Sequence, residues 1–101
     1  MVEGQYTVVW TKTSQQQLQR IFKFISKDSE QNVFVVIEEL VLSIDITQHN
    51  PEFYRPDKYK MQNDGTYRAY EKHHYRISYR FDNGVVRVLR VRHTSRKTRN
   101  Y

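Results

Sequence analysis

The arginine residues of this sequence are numerous, and their spacing could place several guanidinium groups at one reactive site. Arg76 and Arg80 lie four residues apart in the run YRISYRF, and Arg68 lies in a shorter run before it. A guanidinium binds phosphate through two parallel hydrogen bonds and stabilises negative charge that grows in a transition state. His93 and Tyr101, which follow the last apolar run, could transfer protons. Together these groups could cleave RNA without a metal, by driving the 2′-hydroxyl onto the neighbouring phosphate.

The same arginines have a plainer interpretation, in which they only bind anions or the acidic side chains of a protein partner. Spacing alone does not separate the two. Lys58 and Lys60 lie in a segment that interleaves basic and aromatic residues, a pattern that suits a nucleic-acid groove. In the alternative to a nucleic-acid groove, the aromatic residues of this segment, Phe53, Tyr54 and Tyr59, only hold a long loop against the core. The further bases that we predict to contact nucleic acid are Arg80, Arg92, Arg96, Lys97 and Arg99.

Charge is divided unevenly along the chain. Residues 66–101 contain ten of the 17 Lys and Arg residues and only two acids, a formal charge of +8. Residues 1–65 contain seven bases and nine acids, a formal charge of −2. The net charge of +6 makes an anionic macromolecule the leading class of partner.

Several common kinds of site are excluded by composition. There is no Cys, which excludes a disulfide scaffold and a thiolate metal site. The three Gly residues do not form the phosphate loop pattern GxxxxGK. His73 and His74 are adjacent, and neighbours on a strand point to opposite faces, while His49 and His93 have no companion at ligand spacing. We therefore expect no metal and no cofactor.

We expect one domain spanning residues 1–101, with a basic tail at residues 93–101, because a chain of this length builds a single core. The opening segment MVEGQYTVVW has neither a basic flank nor a long apolar run, so it is not predicted to be a signal peptide. The longest apolar stretch, residues 33–46, is interrupted by three acids and is too short to span a bilayer. We expect a cytoplasmic protein without membrane contact.

The first half of the chain predicts a strand followed by two helices. Residues 6–10 (YTVVW) are β-branched and aromatic, which is typical of a strand, and their nearly continuous apolar character predicts cover on both faces. Ser14 is predicted to start a helix, because Ser14 and Gln17 have the spacing of a capping box and apolar residues then recur at helical spacing from Leu18 to Ile25. A second helix is predicted from about residue 30 to about residue 46, which gives a helical hairpin.

The second half predicts a loop and then three antiparallel strands. Residues 48–65 have no regular period, and the strands are predicted at residues 67–71, 75–81 and 85–92. The turn Asn83-Gly84 predicts a tight hairpin, because this pair tolerates the positive φ of a type I′ turn. One face of the middle strand carries the apolar and aromatic side chains of Tyr75, Ile77, Tyr79 and Phe81.

The order of elements predicts an α+β fold, in which an N-terminal strand and a helical hairpin precede a three-stranded antiparallel sheet. We expect the helices to pack on the aromatic face of that sheet. The opposite face would then leave Arg76, Ser78 and Arg80 open to a ligand.

These motifs, in this order and spacing, resemble those of the RelE/ParE superfamily toxins of bacterial type II toxin–antitoxin modules. The resemblance rests on the strand Tyr75-Arg76-Ile77-Ser78-Tyr79-Arg80, the Asn-Gly hairpin, and the ending Arg92-His93-Thr94. The order strand, helix, helix and three strands is similar to that fold over essentially the whole chain.

The resemblance implies a small cytoplasmic toxin that a cognate acidic antitoxin holds inactive, with operator DNA contacted only through the antitoxin. The RelE-like branch enters the ribosomal A site and cleaves mRNA, whereas the ParE-like branch poisons DNA gyrase. We expect a metal-independent, ribosome-dependent mRNA interferase, with the non-enzymatic gyrase poison as the alternative. By motif, Arg76 matches the arginine on the scissile phosphate and Arg68 matches a base on the preceding strand. His93 and Tyr101 fall near the tail positions of the general acid or base.

Overall fold

The computed structural model describes residues 5–101, in which two helices pack on one sheet. In chain order the elements are β1 (Thr7–Trp10), α1 (Lys12–Ser26), α2 (Glu30–Ser43), a 3₁₀ helix (Asp45–Gln48), β2 (Tyr67–Lys72), β3 (Tyr75–Asp82) and β4 (Val85–His93). The prediction that MVEGQYTVVW is not a signal peptide rests partly on residues 1–4, which lie outside the described residues.

The strands are arranged in the order β1-β4-β3-β2. β1 runs parallel to β4, with Thr7 opposite Val85 and Trp10 opposite Val88, while the other pairs are antiparallel. The predicted α+β class and order of elements are confirmed. The sheet has four strands rather than three because β1 joins it.

The helices cover the aromatic face of the sheet, as predicted. Alternation along β3 turns Tyr75, Ile77 and Tyr79 inward, and the last two are completely buried. Leu40 and Ile44, which are also completely buried, fill the helical side of this core. Burying a large apolar side chain contributes roughly 1.5–3 kcal/mol, so this layer is the main source of stability.

Helix α1 begins at Lys12, and the prediction that Ser14 starts it is wrong. Thr11 is the N-cap, and its Oγ1 accepts a hydrogen bond from the backbone N of Ser14 at 3.2 Å. The same hydroxyl donates to the Val88 carbonyl at 2.8 Å. Ser14 is completely buried and donates its own hydroxyl to the Thr11 carbonyl. Thr11 therefore both starts the helix and ties it to β4.

Two other features of the first half differ from prediction. The expected cover on both faces of β1 is wrong, since Val9 is 43% exposed; the helices lie on one side of the sheet, and Val8 and Trp10 are the residues that meet the core. Helix α2 ends at Ser43 rather than near residue 46. The chain then tightens into the 3₁₀ helix, where the backbone N of Thr47 donates to the carbonyl three residues back at 3.0 Å.

A β-bulge at Leu89 decides which way the bases of β4 point. Val88 and Arg90 have consecutive partners on β3, which leaves Leu89 without one. The extra residue shifts the two-residue alternation by one position, so that Val88 and Val91 both enter the core. Without the bulge, Arg90 would follow Val88 inward. With it, Arg90 is exposed on the face opposite the helices.

Two tight turns with positive φ connect the last three strands. The predicted turn at Asn83-Gly84 is present, with φ values of 48° and 77°. The turn between β2 and β3 is formed by His73 and His74, with φ values of 52° and 65°. The assumption that these two histidines lie on a strand is therefore wrong. Gly and Asn usually occupy such positions, and neither is present here to signal the turn.

Substitutions in these two turns should change stability in opposite directions. Gly84→Ala should lower the free energy of unfolding by about 1 kcal/mol, because a side chain is disfavoured at this φ. Nothing lies within 4 Å of the added Cβ, so the loss would come from backbone conformation alone. His74→Gly should raise the free energy of unfolding by about 0.5–1 kcal/mol, since it removes the same strain. Urea unfolding measures both changes, and a loss in both variants would contradict this assignment.

Candidate functional site

The candidate site is built around Asp57, an acid in the loop before β2 whose side chain is 1% exposed. Its Oδ1 accepts a hydrogen bond from Arg76 Nη2 at 2.7 Å, and its Oδ2 accepts one from the Tyr101 hydroxyl at 2.7 Å. The backbone N of Tyr59 also donates to Oδ1, at 3.0 Å. A buried carboxylate is tolerated only with such partners. Asp57 therefore joins the loop, β3 and the tail.

The basic tail is held by backbone hydrogen bonds to that loop. The N of Met61 donates to the Tyr101 carbonyl at 2.6 Å, and the N of Tyr101 donates to the Tyr59 carbonyl at 2.9 Å. Closer to β4, the N of Thr94 donates to the His74 carbonyl at 2.7 Å. The tail therefore crosses the sheet face opposite the helices, and both of its ends are fixed.

A cavity of about 540 Å³ lies between the tail and the sheet, and we call it the tail cavity. Its lining includes one acid, Asp57, and two groups that can transfer protons, His93 and Tyr101. It also includes six bases: Arg76, Arg90, Arg92, Arg96, Lys97 and Arg99. Since Asp57 is already paired with Arg76, the cavity carries a large excess of positive charge.

The tail cavity brings together seven of the eleven predicted site residues. The predicted catalytic residues that line it are Arg76, His93 and Tyr101, and the predicted nucleic-acid contacts are Arg92, Arg96, Lys97 and Arg99. The four predicted residues that do not line it are Arg68, Arg80, Lys58 and Lys60.

Arg68 is occupied by the loop at the β2 edge of the sheet. Its Nε donates to the Gly65 carbonyl at 2.8 Å, and its Nη1 donates to the Tyr54 carbonyl at 3.0 Å. It also forms an ion pair with Glu52 at 3.4 Å, and only 12% of its side chain is exposed. These bonds use most of its donors, so Arg68 holds the loop in place.

The three remaining predicted site residues outside the tail cavity, Arg80, Lys60 and Lys58, lie over aromatic rings. The guanidinium of Arg80 is 5.0 Å from the centre of the Tyr67 ring, and Lys60 Nζ is 4.8 Å from the same ring. Lys58 Nζ is 5.3 Å from the centre of the Tyr59 ring. Cation–π contacts of this kind stabilise exposed loops modestly. The interleaved bases and aromatic residues thus contact one another within the fold.

The expectation that the face opposite the helices stays open is wrong for two of its three residues. The side chain of Arg76 is 16% exposed and Ser78 is 8% exposed, because the loop and the tail fold over them. The side chain of Arg80 is 39% exposed and remains accessible.

Sequence reasoning missed Asp57 and Arg90. Asp57 is the only acid in the basic and aromatic segment from Phe53 to Lys60, and a lone acid among bases is a usable signal for an internal ion pair. Arg90 was missed because plain alternation from Val88 turns it inward. Only the bulge places it on the tail cavity.

The surroundings of Tyr101 raise the pKa of its hydroxyl well above the usual value for tyrosine. Burial is the main cause, and the hydrogen bond to the Asp57 carboxylate adds to it. Deprotonation would place a second negative charge beside Asp57. The hydroxyl of Tyr101 is therefore a firm donor at neutral pH and a poor base.

Residues 8–98 match the family model described as the ParE toxin of the type II toxin–antitoxin system, parDE. The chain therefore belongs to the ParE toxin family, and it is a RelE/ParE superfamily toxin of a toxin–antitoxin module. A search of curated protein sequences found no match.

Two solved structures have the same fold. The chromosomal ParDE system from P. aeruginosa has a TM-score of 0.73 and 14% identity, covering 90% of this chain and 98% of that chain. The toxin–antitoxin complex RelBE2 from Mycobacterium tuberculosis has a TM-score of 0.55 and 21% identity, covering 88% of this chain and 98% of that chain. Identities this low show the fold alone. Within residues 5–101, no helix is long and apolar enough to cross a membrane.

Breaking the Asp57–Arg76 pair should be costly. Asp57→Asn should lower the free energy of unfolding by about 3 kcal/mol, because it leaves a largely buried guanidinium without a counter-ion. Arg76→Gln should cost a similar amount, since it leaves the buried carboxylate without its counter-ion. The double variant should cost less than the sum of the two by about 1–3 kcal/mol, measured by urea unfolding.

A matched control for that cycle is the exposed ion pair between Arg87 and Asp82, which are 2.9 Å apart. Arg87→Gln should change the free energy of unfolding by less than about 1 kcal/mol, because solvent screens an exposed pair. Strictly additive losses at Asp57 and Arg76 would show that the pair does not stabilise the fold.

Stability should also fall as the pH rises above about 10. Burial raises the pKa of Tyr70, Tyr79 and Tyr101 in the folded protein above the ordinary value of 10.0. A raised folded pKa contributes stability that is complete below the unfolded pKa and is lost as the pH climbs towards the folded pKa. Urea midpoints at about pH 8 and about pH 11 measure this loss, which should be smaller in Tyr101→Phe. An unchanged midpoint would refute the prediction.

Proposed function

We propose that this toxin is a non-enzymatic poison of DNA gyrase, the activity that the resemblance implies for the ParE-like branch. Ribosome-dependent mRNA cleavage, which the motifs favour, becomes the alternative. The observation that carries the proposal is that one buried carboxylate, Asp57, occupies both Arg76 and Tyr101.

An RNase mechanism needs the guanidinium of Arg76 on the scissile phosphate. That guanidinium already forms an ion pair with Asp57 at 2.7 Å, and its carbon lies 4.9 Å from the centre of the Tyr59 ring. A phosphate brought to the same guanidinium would also meet the negative charge of Asp57. Arg76 is therefore better suited to holding the fold than to stabilising a transition state.

The proton-transfer groups point the same way. The hydroxyl of Tyr101 donates a hydrogen bond to Asp57 and has a raised pKa. It therefore stays protonated and does not serve as a base at neutral pH. His93 contacts Ser95, with Nδ1 2.8 Å from the hydroxyl oxygen, and its exposed ring lines the tail cavity. His93 is the one group here that favours the alternative, since it lies in the cavity and could exchange a proton with a substrate.

We also propose that an acidic antitoxin binds this toxin in the cytoplasm, and that operator DNA is contacted only through it. The two solved structures described above are toxin–antitoxin systems. A groove beside α1 has Ile21, Tyr75 and Val91 in its lining, together with basic residues that include Arg20 and Arg92. An acidic amphipathic segment would match both the apolar and the basic parts of this groove.

Purified toxin added to gyrase and supercoiled plasmid should trap broken DNA, seen as linear plasmid after detergent and protease treatment. In cells, pulse labelling after induction should show DNA synthesis stopping before protein synthesis. The controls are toxin without gyrase, and toxin premixed with the acidic product of the neighbouring reading frame, which should abolish the breaks.

Primer extension on a translated message tests the alternative with the same protein. Cuts in ribosome-bound mRNA, with gyrase unaffected, would refute the gyrase proposal. In that case His93→Gln and Tyr101→Phe should each slow cutting by roughly 100-fold, the size expected for loss of a general acid or base.

A further inference from the structure

We propose that the outer side of helix α2 is a docking surface for a basic amphipathic helix of a protein partner other than the acidic antitoxin. We call this surface the α2 face and define it as Phe34, Val35, Glu38 and Leu42. It shares no residue with the groove beside α1 or with the tail cavity. The inference goes beyond the proposed function, because it does not depend on which target the toxin poisons.

The first argument is that α2 is apolar on both of its sides. Val36 and Leu40 turn inward and join the core under the helices. On the outer side, Phe34, Val35 and Leu42 are each more than half exposed. A helix at the surface normally presents polar side chains to water, and an apolar outer side marks an interaction surface.

The second argument is the shape of the α2 face. Phe34, Glu38 and Leu42 follow one another at intervals of four residues, so they form one stripe along the helix. The Phe34 ring makes a T-shaped contact with Phe22 of α1, with ring centres 5.6 Å apart, and its position is therefore set before a partner arrives. The stripe is straight and about 12 Å long, which suits a second helix packed against α2.

The third argument is charge, which decides what kind of helix would bind. Residues 28–46 contain five acids and no Lys or Arg, in a chain whose net charge is +6. Glu39 contacts His73. Within residues 5–101 the other four acids form no ion pair, and they are Asp28, Glu30, Glu38 and Asp45. A partner that carries Lys or Arg would supply the missing counter-ions.

The position of Glu38 excludes the other occupants of an apolar face. Two copies of this chain joined through their α2 faces would bring two Glu38 side chains together, and an acidic antitoxin segment would meet the same repulsion. A lipid surface would have to take up Glu38 without a counter-ion, which is costly. A helix with Leu or Ile beside Lys or Arg avoids both costs, because it covers the stripe and neutralises its acid.

The test measures binding of a synthetic peptide to the purified full-length chain. The probe is a fluorescein-labelled helical peptide of about 18 residues, followed by anisotropy, with Leu along one side and a single Lys in the middle of that side. The variant is Phe34→Gln, and the matched control is Phe24→Gln, which removes the same side chain from the groove beside α1. The two rings are 64% and 65% exposed, so neither belongs to the core.

Phe34→Gln should weaken binding about tenfold at about 50 mM salt, because an aromatic anchor is lost, and Phe24→Gln should change it by less than about twofold. If Phe34→Gln fails to fold, Leu42→Gln takes its place, with a loss of about fivefold expected.

A charge reversal tests the part assigned to Glu38. Glu38→Lys should weaken binding of the first peptide about tenfold, and it should bind a second peptide, in which the central Lys is replaced by Glu, more tightly than the first. The control for net charge is Glu71→Lys, which makes the same change at an exposed acid of β2 and should keep the preference for the first peptide.

The proposal is overturned by the absence of peptide binding at low salt, or by equal weakening in Phe34→Gln and Phe24→Gln. It is also overturned by a dimer of the unaltered chain that Phe34→Gln dissociates in sedimentation, which would assign the α2 face to a second copy. Binding to phosphatidylcholine vesicles that Phe34→Gln abolishes would assign it to a membrane instead. Neither gyrase nor ribosomes are present in this experiment, so its failure and the failure of the gyrase proposal are separate outcomes.

Discussion

The ion pair between Asp57 and Arg76 is the interaction on which the rest of the site depends. Burying it is expensive, because each charge loses several kcal/mol of hydration that good geometry and further hydrogen bonds must offset. Here the hydroxyl of Tyr101 and the backbone N of Tyr59 supply those bonds. The pair therefore acts as a constraint on position, since the loop, β3 and the tail must meet at Asp57 to satisfy it. Because these three segments meet at Asp57, the tail lies over the sheet and closes the tail cavity.

A second constraint, the bulge at Leu89, gives this cavity its charge. Helix α1 supports the bulge from the side, where the Thr11 hydroxyl donates to the Val88 carbonyl and Gln17 Oε1 accepts from the Val91 N at 2.7 Å. These backbone groups lie at or beyond the end of β1, where β4 lacks a neighbouring strand on that side. Helical side chains thus take the place of strand partners. The bulge turns Arg90 and Arg92 towards the cavity. The Asp57–Arg76 pair and the backbone hydrogen bonds of the tail close the cavity from the other side.

The fold was predictable because its signals are local. Strict alternation along β3 assigns its two faces, and Asn83-Gly84 marks the last hairpin. The site was harder to predict because Asp57 lies 19 residues from Arg76 and 44 from Tyr101, and no periodicity connects residues so far apart. The bulge leaves no clear trace in the sequence. The buried residues of β4 are spaced by two and then by three, at Val86, Val88 and Val91, but Val85 and Leu89 are apolar as well, so only the structure shows the break that turns Arg90 outward.

A motif match transfers residue types but not their counter-ions. The strand motif that contains Arg76 says nothing of Asp57, which lies in a loop outside it, yet that carboxylate decides what the guanidinium can do. A paired guanidinium attracts an approaching phosphate while its partner repels it, so its net pull is weakened. Among the residues that the structure describes, no carboxylate forms an ion pair with the other bases of the same cavity, which are Arg90, Arg92, Arg96, Lys97 and Arg99. A single acid in a loop can thus occupy one guanidinium of a basic cavity while the neighbouring guanidinium groups keep their full charge.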